Sequence, residues 1–520
     1  MAKSYLKNIW EGTTIYLLGV IFSRPLSLLS TVIIVRYLLS PGEWGSLSLS
    51  LYVIALVTTI GGSGLPGGTT RFISFHKGRG DYRKVRETIF SALGITSVLG
   101  AAFFSFLFLF SGTIASFFNK PKLALTIKIL AITILVRNVT NILVSIFRGH
   151  KNVKVQALFQ SIFPEAIRLI LALFAIILGL EFYGIVSIYI IYPIVVLVSL
   201  IIYSITRLKQ SGHLVSSYHN LEYYKTGTEL LRFSLPLLLV ISMWLFLDIL
   251  GPLMLGYFIE DEQVVGVYRT TWILAKYIPW ILGSIIFIYL PVVTDLHSKK
   301  KNHEIQEIYS ILTKWAFMIS FSIFITLFLY PEVILSLLFG ETYTSGATAL
   351  RILSFGYIIH VIFGFNGTTL TAIGKTQIMG ISSAFVILLN FILNLVLIPK
   401  LGINGASLAT AISYIVVNIT FSIVLFKIIK INPFTKNYLK VLITSIVLTI
   451  PLFWITNLLF SAAIWRISFF LLFLWGISFS VLYYIKGFEE NDRMFLKFLI
   501  EKLKGTQGRV KGIFFSQGKQ

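Results

Sequence analysis

The sequence contains no cysteine and few charged residues. Of its 520 residues only 12% are charged. The absence of cysteine excludes disulfides, thiol catalysis and cysteine metal sites. Soluble globular proteins carry about 25% charged residues. The low value indicates that most of this chain faces lipid or other apolar helices rather than water.

Motifs for nucleotide hydrolysis and for metal binding are also missing. Five glycines, Gly61, Gly62, Gly64, Gly67 and Gly68, cluster near the inner end of the second apolar run, but no Lys-Ser/Thr follows them. A bent helix end therefore explains the cluster better than a phosphate loop does. The histidines are scattered without the spacing of metal ligands. We expect no cofactor and no firm metal site.

Long apolar runs dominate what is present. Hydrophobic residues make up 56% of the chain, in runs of about 20 residues, the length that crosses a hydrocarbon core. The runs are continuous rather than alternating, which favours helices over a β-barrel. We predict an all-α integral membrane protein with about 14 transmembrane helices. The predicted spans are roughly 13–36, 43–64, 87–111, 122–147, 155–180, 182–206, 229–257, 263–293, 308–330, 346–373, 376–399, 401–427, 436–459 and 462–486.

Lys and Arg are distributed unequally between the two sides of these spans. Thirty lie in connections on one side, and only Arg36, Lys120, Lys122 and Lys400 lie on the other. Because Lys and Arg are retained on the cytoplasmic side, we predict a multi-pass cell-membrane protein with both termini in the cytoplasm. The net charge of +23 then reflects topology and attraction to anionic lipids, not binding to nucleic acid.

An internal repeat is visible at an offset of about 221 residues. Gly45 maps onto Gly266, and Leu180–Gly184 maps onto Leu401–Gly405. Six spans per repeat predict two lobes of the same orientation, with the substrate between them. The predicted units are an N-lobe (1–206, helices 1–6), a cytoplasmic linker (207–228), a C-lobe (229–427, helices 7–12), helices 13–14 (428–488) and a basic amphipathic cytoplasmic tail (489–520).

Several ionisable side chains fall inside the predicted spans, where each costs roughly 2.5–3.5 kcal/mol. Glu165 and Asp248 are outnumbered by the basic residues Arg24, Arg137, Arg168, Arg269 and Lys276. Glu165 and Arg168 are three residues apart on one helix and are expected to neutralise each other. As a set, the five cations exceed the two carboxylates, and this excess predicts a cavity in which Arg24, Arg137, Arg168, Arg269 and Lys276 bind phosphate, which Arg grips in bidentate fashion. Structural ion pairs between helices are the alternative interpretation for each residue.

A second set of polar residues lies in the C-lobe. Asp248 is in the seventh span, Asn390 and Asn394 share one face of the eleventh, and Thr410 is in the twelfth. Such oxygen donors can hold a small hard cation at a helix break. Hydrogen bonding between helices explains the same residues, and is the interpretation that the residues alone favour.

Two segments resemble a known family. The opening segment is Tyr-Leu-Leu-Ser-Pro-Gly-Glu-Trp-Gly-Ser at 37–46, followed by Thr-Arg-Phe-Ile at 70–73. The more specific segment runs from Thr-Ala-Ile-Gly-Lys-Thr at 371–376 to Leu-Asn-Leu-Val-Leu-Ile-Pro-Lys-Leu-Gly-Ile-Asn-Gly-Ala at 393–406. They resemble Wzx-type oligosaccharide exporters of the multidrug/oligosaccharidyl-lipid/polysaccharide superfamily. The resemblance implies a MATE-like, V-shaped bundle of two lobes that alternates between inward and outward openings.

The sequence is also similar to the lipid II flippases of that superfamily. The similarity implies cavity arginines at Arg24 and Arg269, on helices 1 and 8. It further implies a coupling-cation site at Asp248, Asn390, Asn394 and Thr410, in which Asn394 replaces a second acid and so lowers the negative charge. Coupling to Na⁺ or H⁺ is thus allowed but not required.

From the resemblance and the cations together we predict a flippase. Its cargo would be an oligosaccharide linked to polyprenyl or dolichyl (pyro)phosphate, moved from the cytoplasmic to the outer leaflet for polysaccharide or glycan biosynthesis, by a monomer and without covalent chemistry. One alternative is a multidrug cation exporter of the same superfamily, which should carry an acid in helix 1, where this chain has Arg24. A membrane polysaccharide polymerase or ligase would need an external loop longer than the ~15 residues predicted here.

Overall fold

A computed structural model describes residues 19, 21–150, 152–210, 222–459 and 463–484. The predicted tail at 489–520, the start of the first predicted span and the middle of the predicted linker lie outside these residues. Within them every regular element is a helix and there is no strand. The prediction of an all-α protein is confirmed.

The helices follow the predicted spans closely, and we number them in chain order. They are α1 (Ile21–Leu38), α2 (Pro41–Gly62, then Leu65–Gly78), α3 (Tyr82–Phe117), α4 (Lys122–Leu130, then Ile132–Gly149), α5 (Lys154–Leu178), α6 (Phe182–Gln210), α7 (Tyr223–Phe258), α8 (Glu262–Ala275, then Trp280–Ser298), α9 (Asn302–Leu329), α10 (Ala347–Phe363, then Asn366–Ala372), α11 (Thr376–Leu401), α12 (Ile403–Ile429), α13 (Lys436–Leu459) and α14 (Ala463–Tyr484). A short helix, Pro331–Phe339, and a 3₁₀ turn, Glu341–Gly346, connect α9 to α10.

Eleven helices of the described residues are long and apolar enough to cross a membrane, or twelve if a bent pair within α8 is one span. Two further apolar helices, Trp244–Phe258 within α7 and Trp465–Ser478 within α14, are shorter. Large apolar side chains cover the outside, among them Ile177, Leu388 and Leu458. Such a surface requires lipid around it. The chain is a multi-pass membrane protein, and the number fourteen stays a prediction.

Four of the numbered helices, α2, α4, α8 and α10, consist of two parts, and the breaks in α2 and α8 have identifiable causes. In α2 the break is at Ser63 and Gly64, both in the left-handed backbone region, where Gly carries no steric penalty. A Cβ at Gly64 would also lie 2.3 Å from the carbonyl oxygen of Ser234 on α7. The glycine cluster therefore marks a helix break and a close helix contact. The second break, in α8, precedes Pro279, and Ser320 donates to the freed carbonyl of Ile278 at 2.7 Å.

The N-lobe and C-lobe touch at the ends predicted to face outside. A Cβ at Gly45 would lie 1.8 Å from the carbonyl oxygen of Glu262, and one at Gly266 would lie 2.4 Å from that of Pro41. The two glycines related by the sequence repeat thus let the backbones of α2 and α8 cross in direct contact.

Two of the four basic residues predicted on the outer side also bridge the lobes. Lys120 donates to the carbonyl oxygens of Ile259, at 2.9 Å, and Glu260, at 2.6 Å, just beyond the end of α7. Burial lowers the pKa of the Lys120 amine, and the negative charges of nearby acidic residues partly offset this lowering. Arg36 donates to the carbonyls of Ser336 and Leu337. Both cations therefore meet the carbonyl ends of helices, where a positive charge is favourable.

A second contact between the N-lobe and the C-lobe lies at the opposite end of the helices, where α7 begins. Glu87 on α3 is fully buried and pairs with Arg83 at 3.1 Å and Lys84 at 2.9 Å. Its carboxylate also accepts from the hydroxyl of Thr226 at 2.7 Å, and Ser91 donates to the carbonyl of Tyr223 at 2.8 Å. The first turns of α7 are thus held against the N-lobe, while the later turns pack on α11 and α12.

Candidate anion cavity between the lobes

A cavity of about 550 Å³ lies between the two contacts just described. Along α2 the residues that line it, from Leu51 to Thr59, fall between the outer crossing at Gly45 and the break at Gly64. Its other walls come from α4, α5, α6, α7 and the first part of α8. Its charged lining residues are Arg137, Arg168, Arg269, Glu165 and Asp248. Three of the five residues predicted to bind phosphate therefore line one space.

Arg137 projects from α4 and has no carboxylate partner among the residues that the structure describes. One terminal nitrogen donates to the hydroxyl of Tyr192 on α6 at 2.6 Å. Its Nε atom is buried and has no hydrogen-bond partner. A buried donor without a partner costs about 1–3 kcal/mol, so this guanidinium is poised to bind an acceptor in the cavity.

Arg269 faces the same cavity from α8, on the C-lobe side. Its guanidinium carbon lies 4.6 Å from the ring centre of Tyr52 and 5.0 Å from that of Trp272. Its Nε atom is also buried without a partner. The two rings attract the cation, and its Nε is available to bind an anion.

Arg168 differs because its charge is already balanced. It lies 2.7 Å from Glu165 on the same helix, the neighbour expected from the spacing of the two residues. It also donates to Ser30 Oγ at 2.9 Å and to the carbonyl of Ser27 at 3.0 Å, both on α1. Arg168 therefore ties α5 to α1 and adds little net charge to the cavity.

Lys276 is also paired, through contacts that the sequence did not predict. Its Nζ lies 2.6 and 2.8 Å from the two carboxylate oxygens of Asp248. It donates to Tyr414 at 3.1 Å, and the Tyr414 hydroxyl in turn donates to Asp248 at 3.1 Å. The residue proposed for phosphate and the residue proposed for a coupling cation thus bind each other.

Arg24 lies beside the cavity rather than in it. A neighbouring hollow of about 480 Å³ is lined by Arg24, Ser23 and Ser27 of α1 together with residues of α4 and α5. The two spaces share Asn141, Gln160 and Glu165 as lining residues. Arg24 is exposed, so it lies at a side approach to the cavity between α1 and α5.

The remaining residues of the predicted cation site are buried, and each has a hydrogen bond within the C-lobe, although the side-chain oxygen of Asn394 has no partner among the described residues. The amide nitrogen of Asn390 donates to Ser413 on α12 at 3.0 Å, and that of Asn394 donates to Asn390 at 3.0 Å. Thr410 donates to the carbonyl of Ala406 on its own helix. Among the described residues, no group of three His, Cys, Asp or Glu side chains could hold a metal. Of these bonds, the one from Asn390 to Ser413 joins two helices, and the cation site stays a prediction.

The aromatic partners of the cations were absent from the sequence prediction. Trp272 lies three residues after Arg269 on one helix, so helical spacing could have found it. Tyr52, Tyr192 and Tyr414 reach their partners from other helices, and no local signal in the sequence reveals those contacts.

The model of a known protein family matches this chain. The family is described as "polysaccharide biosynthesis protein", and the match covers residues 9–297, more than half of the chain. The chain belongs to the polysaccharide biosynthesis protein family.

Curated relatives of this polysaccharide biosynthesis protein include a probable low-salt glycan biosynthesis flippase of Haloferax volcanii, 25% identical over 162 residues, which are 31% of this chain and 34% of that protein. The lipid II flippase of Bacillus subtilis is 24% identical over 510 residues, which cover 89% of this chain and 90% of that protein. The chain spans less than half the length of the first curated relatives that it matches.

Solved structures show the fold of this family member. An inward closed lipid II flippase has a TM-score of 0.68 at 15% identity, covering 90% of this chain and 99% of that one. An inward-facing multidrug resistance MATE family transporter of the MOP superfamily has a TM-score of 0.64 at 16% identity, covering 80% of this chain and 98% of that one. The chain therefore has the MATE-like fold that the resemblance implied.

Proposed function

We propose that this protein flips a lipid-linked oligosaccharide from the cytoplasmic to the outer leaflet of the cell membrane, as a transporter without covalent chemistry. The observation that carries the proposal is a cavity between the lobes with two arginines, Arg137 and Arg269, that have no carboxylate partner among the described residues. Guanidinium groups bind phosphate oxygens with two parallel hydrogen bonds. The named flippases among the relatives support the same class of cargo.

The two arginines come from different lobes. Arg137 is on α4 of the N-lobe, and Arg269 is on α8 of the C-lobe. A phosphate or pyrophosphate bound by both would hold the lobes together around the cargo. Release at the other leaflet would then require the lobes to separate, as in alternating access.

The side hollow at Arg24 indicates where the lipid chain of the cargo would pass. The hollow itself is polar, with Ser23, Ser27, Asn141 and Gln160 among its lining residues. The apolar side chain of Phe22 is exposed beside it. We expect the sugars to occupy the polar space while the prenyl chain stays in the bilayer next to α1 and α5.

The driving force needs no bound nucleotide. Moving one charge through 100 mV is worth roughly 2.3 kcal/mol. With a negative cell interior and cytoplasmic termini, outward movement of a phosphate anion runs downhill. Anionic lipid headgroups at the cytoplasmic surface are the other expected partners, and we expect a monomer to suffice because both arginines belong to one chain.

The experiment measures leaflet translocation of a short-chain polyprenyl-pyrophosphate oligosaccharide in proteoliposomes. We compare wild type with Arg137→Ala, Arg269→Ala and Arg24→Ala, and use Lys400→Ala, which removes an exposed charge outside the cavity, as the control. Transport in wild type and Lys400→Ala, but not in Arg137→Ala or Arg269→Ala, would support the proposal.

The opposite selectivity would overturn the proposal. Multidrug transporters share the fold, so a lipophilic cation serves as the second substrate. If wild type moves the lipophilic cation and leaves the lipid-linked sugar in place, the protein is a cation exporter. The excess of basic residues in the cavity argues against that outcome, because like charges repel.

A further inference from the structure

The Lys276 side chain is already bound to other groups of the protein. Its ammonium contacts both carboxylate oxygens of Asp248, at 2.6 and 2.8 Å, and the hydroxyl of Tyr414 at 3.1 Å. An ammonium has three N–H donors. Two of them are used in the hydrogen bonds to Asp248 Oδ2 and Tyr414, and the ion pair with Asp248 already balances the charge that a phosphate would need.

Aromatic rings surround the same ammonium. Its Nζ lies 5.5 Å from the ring centre of Trp272, 5.1 Å from that of Tyr357 and 5.5 Å from that of Tyr414. Aromatic faces attract cations through the ring quadrupole. A carboxylate with several rings is therefore a cation-binding environment, and here its occupant belongs to the chain itself.

The backbone places the lysine in this environment. Lys276 caps the end of the first part of α8, where the helix breaks before Pro279. The carbonyl end of a helix carries a partial negative charge that favours a cation. Asp248 reaches the ammonium from α7 and also lines the anion cavity. The pair therefore lies at the cavity wall, between two helices of the C-lobe.

The charge of the pair matters for the cavity. An unpaired carboxylate at Asp248 would face Arg137 and Arg269 across the cavity and compete with an anionic cargo. A bound cation beside the carboxylate removes that competition. The amides of Asn390 and Asn394 do not supply this neutralisation, because a side-chain amide carries no charge.

We infer that Lys276 is a built-in counter-cation of the cavity. Its ammonium occupies the position at Asp248 that a soluble alkali cation would otherwise take, so the wild-type chain binds no Na⁺ there. Removing the ammonium would expose a latent Na⁺ site made of the two oxygens of Asp248, the hydroxyl of Tyr414 and water from the cavity. This inference goes beyond the proposed function, since it does not depend on which cargo is moved.

The test compares the melting temperature of purified protein in NaCl and in N-methyl-D-glucamine chloride at equal ionic strength. We use wild type, Lys276→Met, Lys276→Arg and the double variant Asp248→Asn with Lys276→Met. Because a ligand that binds only the folded state stabilises it, we expect Na⁺ to raise the melting temperature of Lys276→Met by about 2 °C or more. Wild type, Lys276→Arg and the double variant should show no rise specific to Na⁺.

Binding of radioactive ²²Na⁺ to wild type gives a second, independent readout. Stoichiometric binding to wild type that Asp248→Asn abolishes would overturn the inference, as would a folded Lys276→Met variant without a Na⁺-specific shift. If the Lys276→Met variant does not fold, the ²²Na⁺ measurement on the wild-type protein tests the inference by itself. Absence of ²²Na⁺ binding, with equal initial transport rates in Na⁺ and N-methyl-D-glucamine, supports the built-in cation.

Discussion

Two arginines of the cavity between the lobes differ from the Asp248–Lys276 pair of the C-lobe in whether their polar atoms have partners within the protein. In the cavity, Arg137 and Arg269 each keep a buried Nε without a partner. On the C-lobe wall of the same cavity, Asp248 is paired with Lys276 and Tyr414. The difference lies in whether the buried polar atoms have partners within the protein, not in the types of residue.

This contrast indicates which polar residues act on a ligand. Buried polar groups are almost always hydrogen-bonded within the protein, and the side chains of Asp248, Lys276 and Asn390 have such partners. His360 and Asn366, for example, both contact Asn418. Arg137 and Arg269 differ in that their unpartnered Nε atoms belong to cationic side chains that line a cavity, where a bound anion would supply the missing acceptor. Four substitutions test the contrast, from the largest expected effect to the smallest.

Replacing Arg137 by Gln should reduce transport of the lipid-linked cargo about 10- to 100-fold, because hydrogen bonds to charged groups contribute about 1.5–3 kcal/mol. The melting temperature should change little, since this guanidinium has no carboxylate partner to leave unpaired. Initial flipping rates and thermal unfolding of the same preparation measure both quantities. A variant that unfolds easily but flips normally would place Arg137 among the structural residues.

Replacing Asp248 by Asn should lower the free energy of unfolding by about 2 kcal/mol. Loss of one partner of a buried ion pair costs about 3–5 kcal/mol, and the side chains of Asp248 and Lys276 are 20% and 25% exposed, which reduces the cost. Denaturant titration in detergent measures the change. Glu165→Gln is the matched control and should cost less, because Arg168 keeps its bonds to Ser27 and Ser30. Equal losses in the free energy of unfolding for Asp248→Asn and Glu165→Gln would contradict this distinction between the two ion pairs.

Replacing Asn390 by Ala should lower the free energy of unfolding by about 1–2 kcal/mol, because its buried partners Ser413 and Asn394 each lose a hydrogen bond. Transport measured with the same cargo should persist once the protein is folded. Asn457→Ala is the control, since Asn457 bonds only within its own helix, to Phe453. Loss of transport at unchanged stability would contradict a structural role for Asn390.

The smallest expected effect comes from Tyr414→Phe, which removes one hydroxyl from the Asp248–Lys276 pair. We expect a loss of about 1 kcal/mol in the free energy of unfolding and no change in transport. Tyr192→Phe removes the hydroxyl that accepts from Arg137, and should alter transport more than stability. If both tyrosine variants behave alike in the two assays, the contrast between the regions fails.

The sequence predicted contacts within one helix well. The three-residue spacing of Glu165 and Arg168 predicted their pairing, and the pair is observed at 2.7 Å. The four-residue spacing of Asn390 and Asn394 placed them on one face, and their amides are hydrogen-bonded. Helical periodicity determines such neighbours whatever the rest of the fold does.

Contacts between helices could not be predicted from the sequence. Lys276 was assigned to the phosphate site, whereas the structure pairs it with Asp248, 28 residues away on another helix. The repeat identified Gly45 and Gly266 as equivalent, but gave no sign that they cross each other in direct contact. Such pairings depend on how helices are rotated and spaced, and apolar surfaces in lipid leave many rotations similar in energy.

Composition and periodicity alone determined that this chain lies in a membrane as a bundle of helices, because the backbone of a lipid-embedded segment must satisfy its own hydrogen bonds. They also determined which side chains carry charge inside that bundle. Only the tertiary structure decided which of those charges are paired. Ion pairing is set by distances of a few ångströms between helices far apart in sequence, and those distances exist only after the helices have packed.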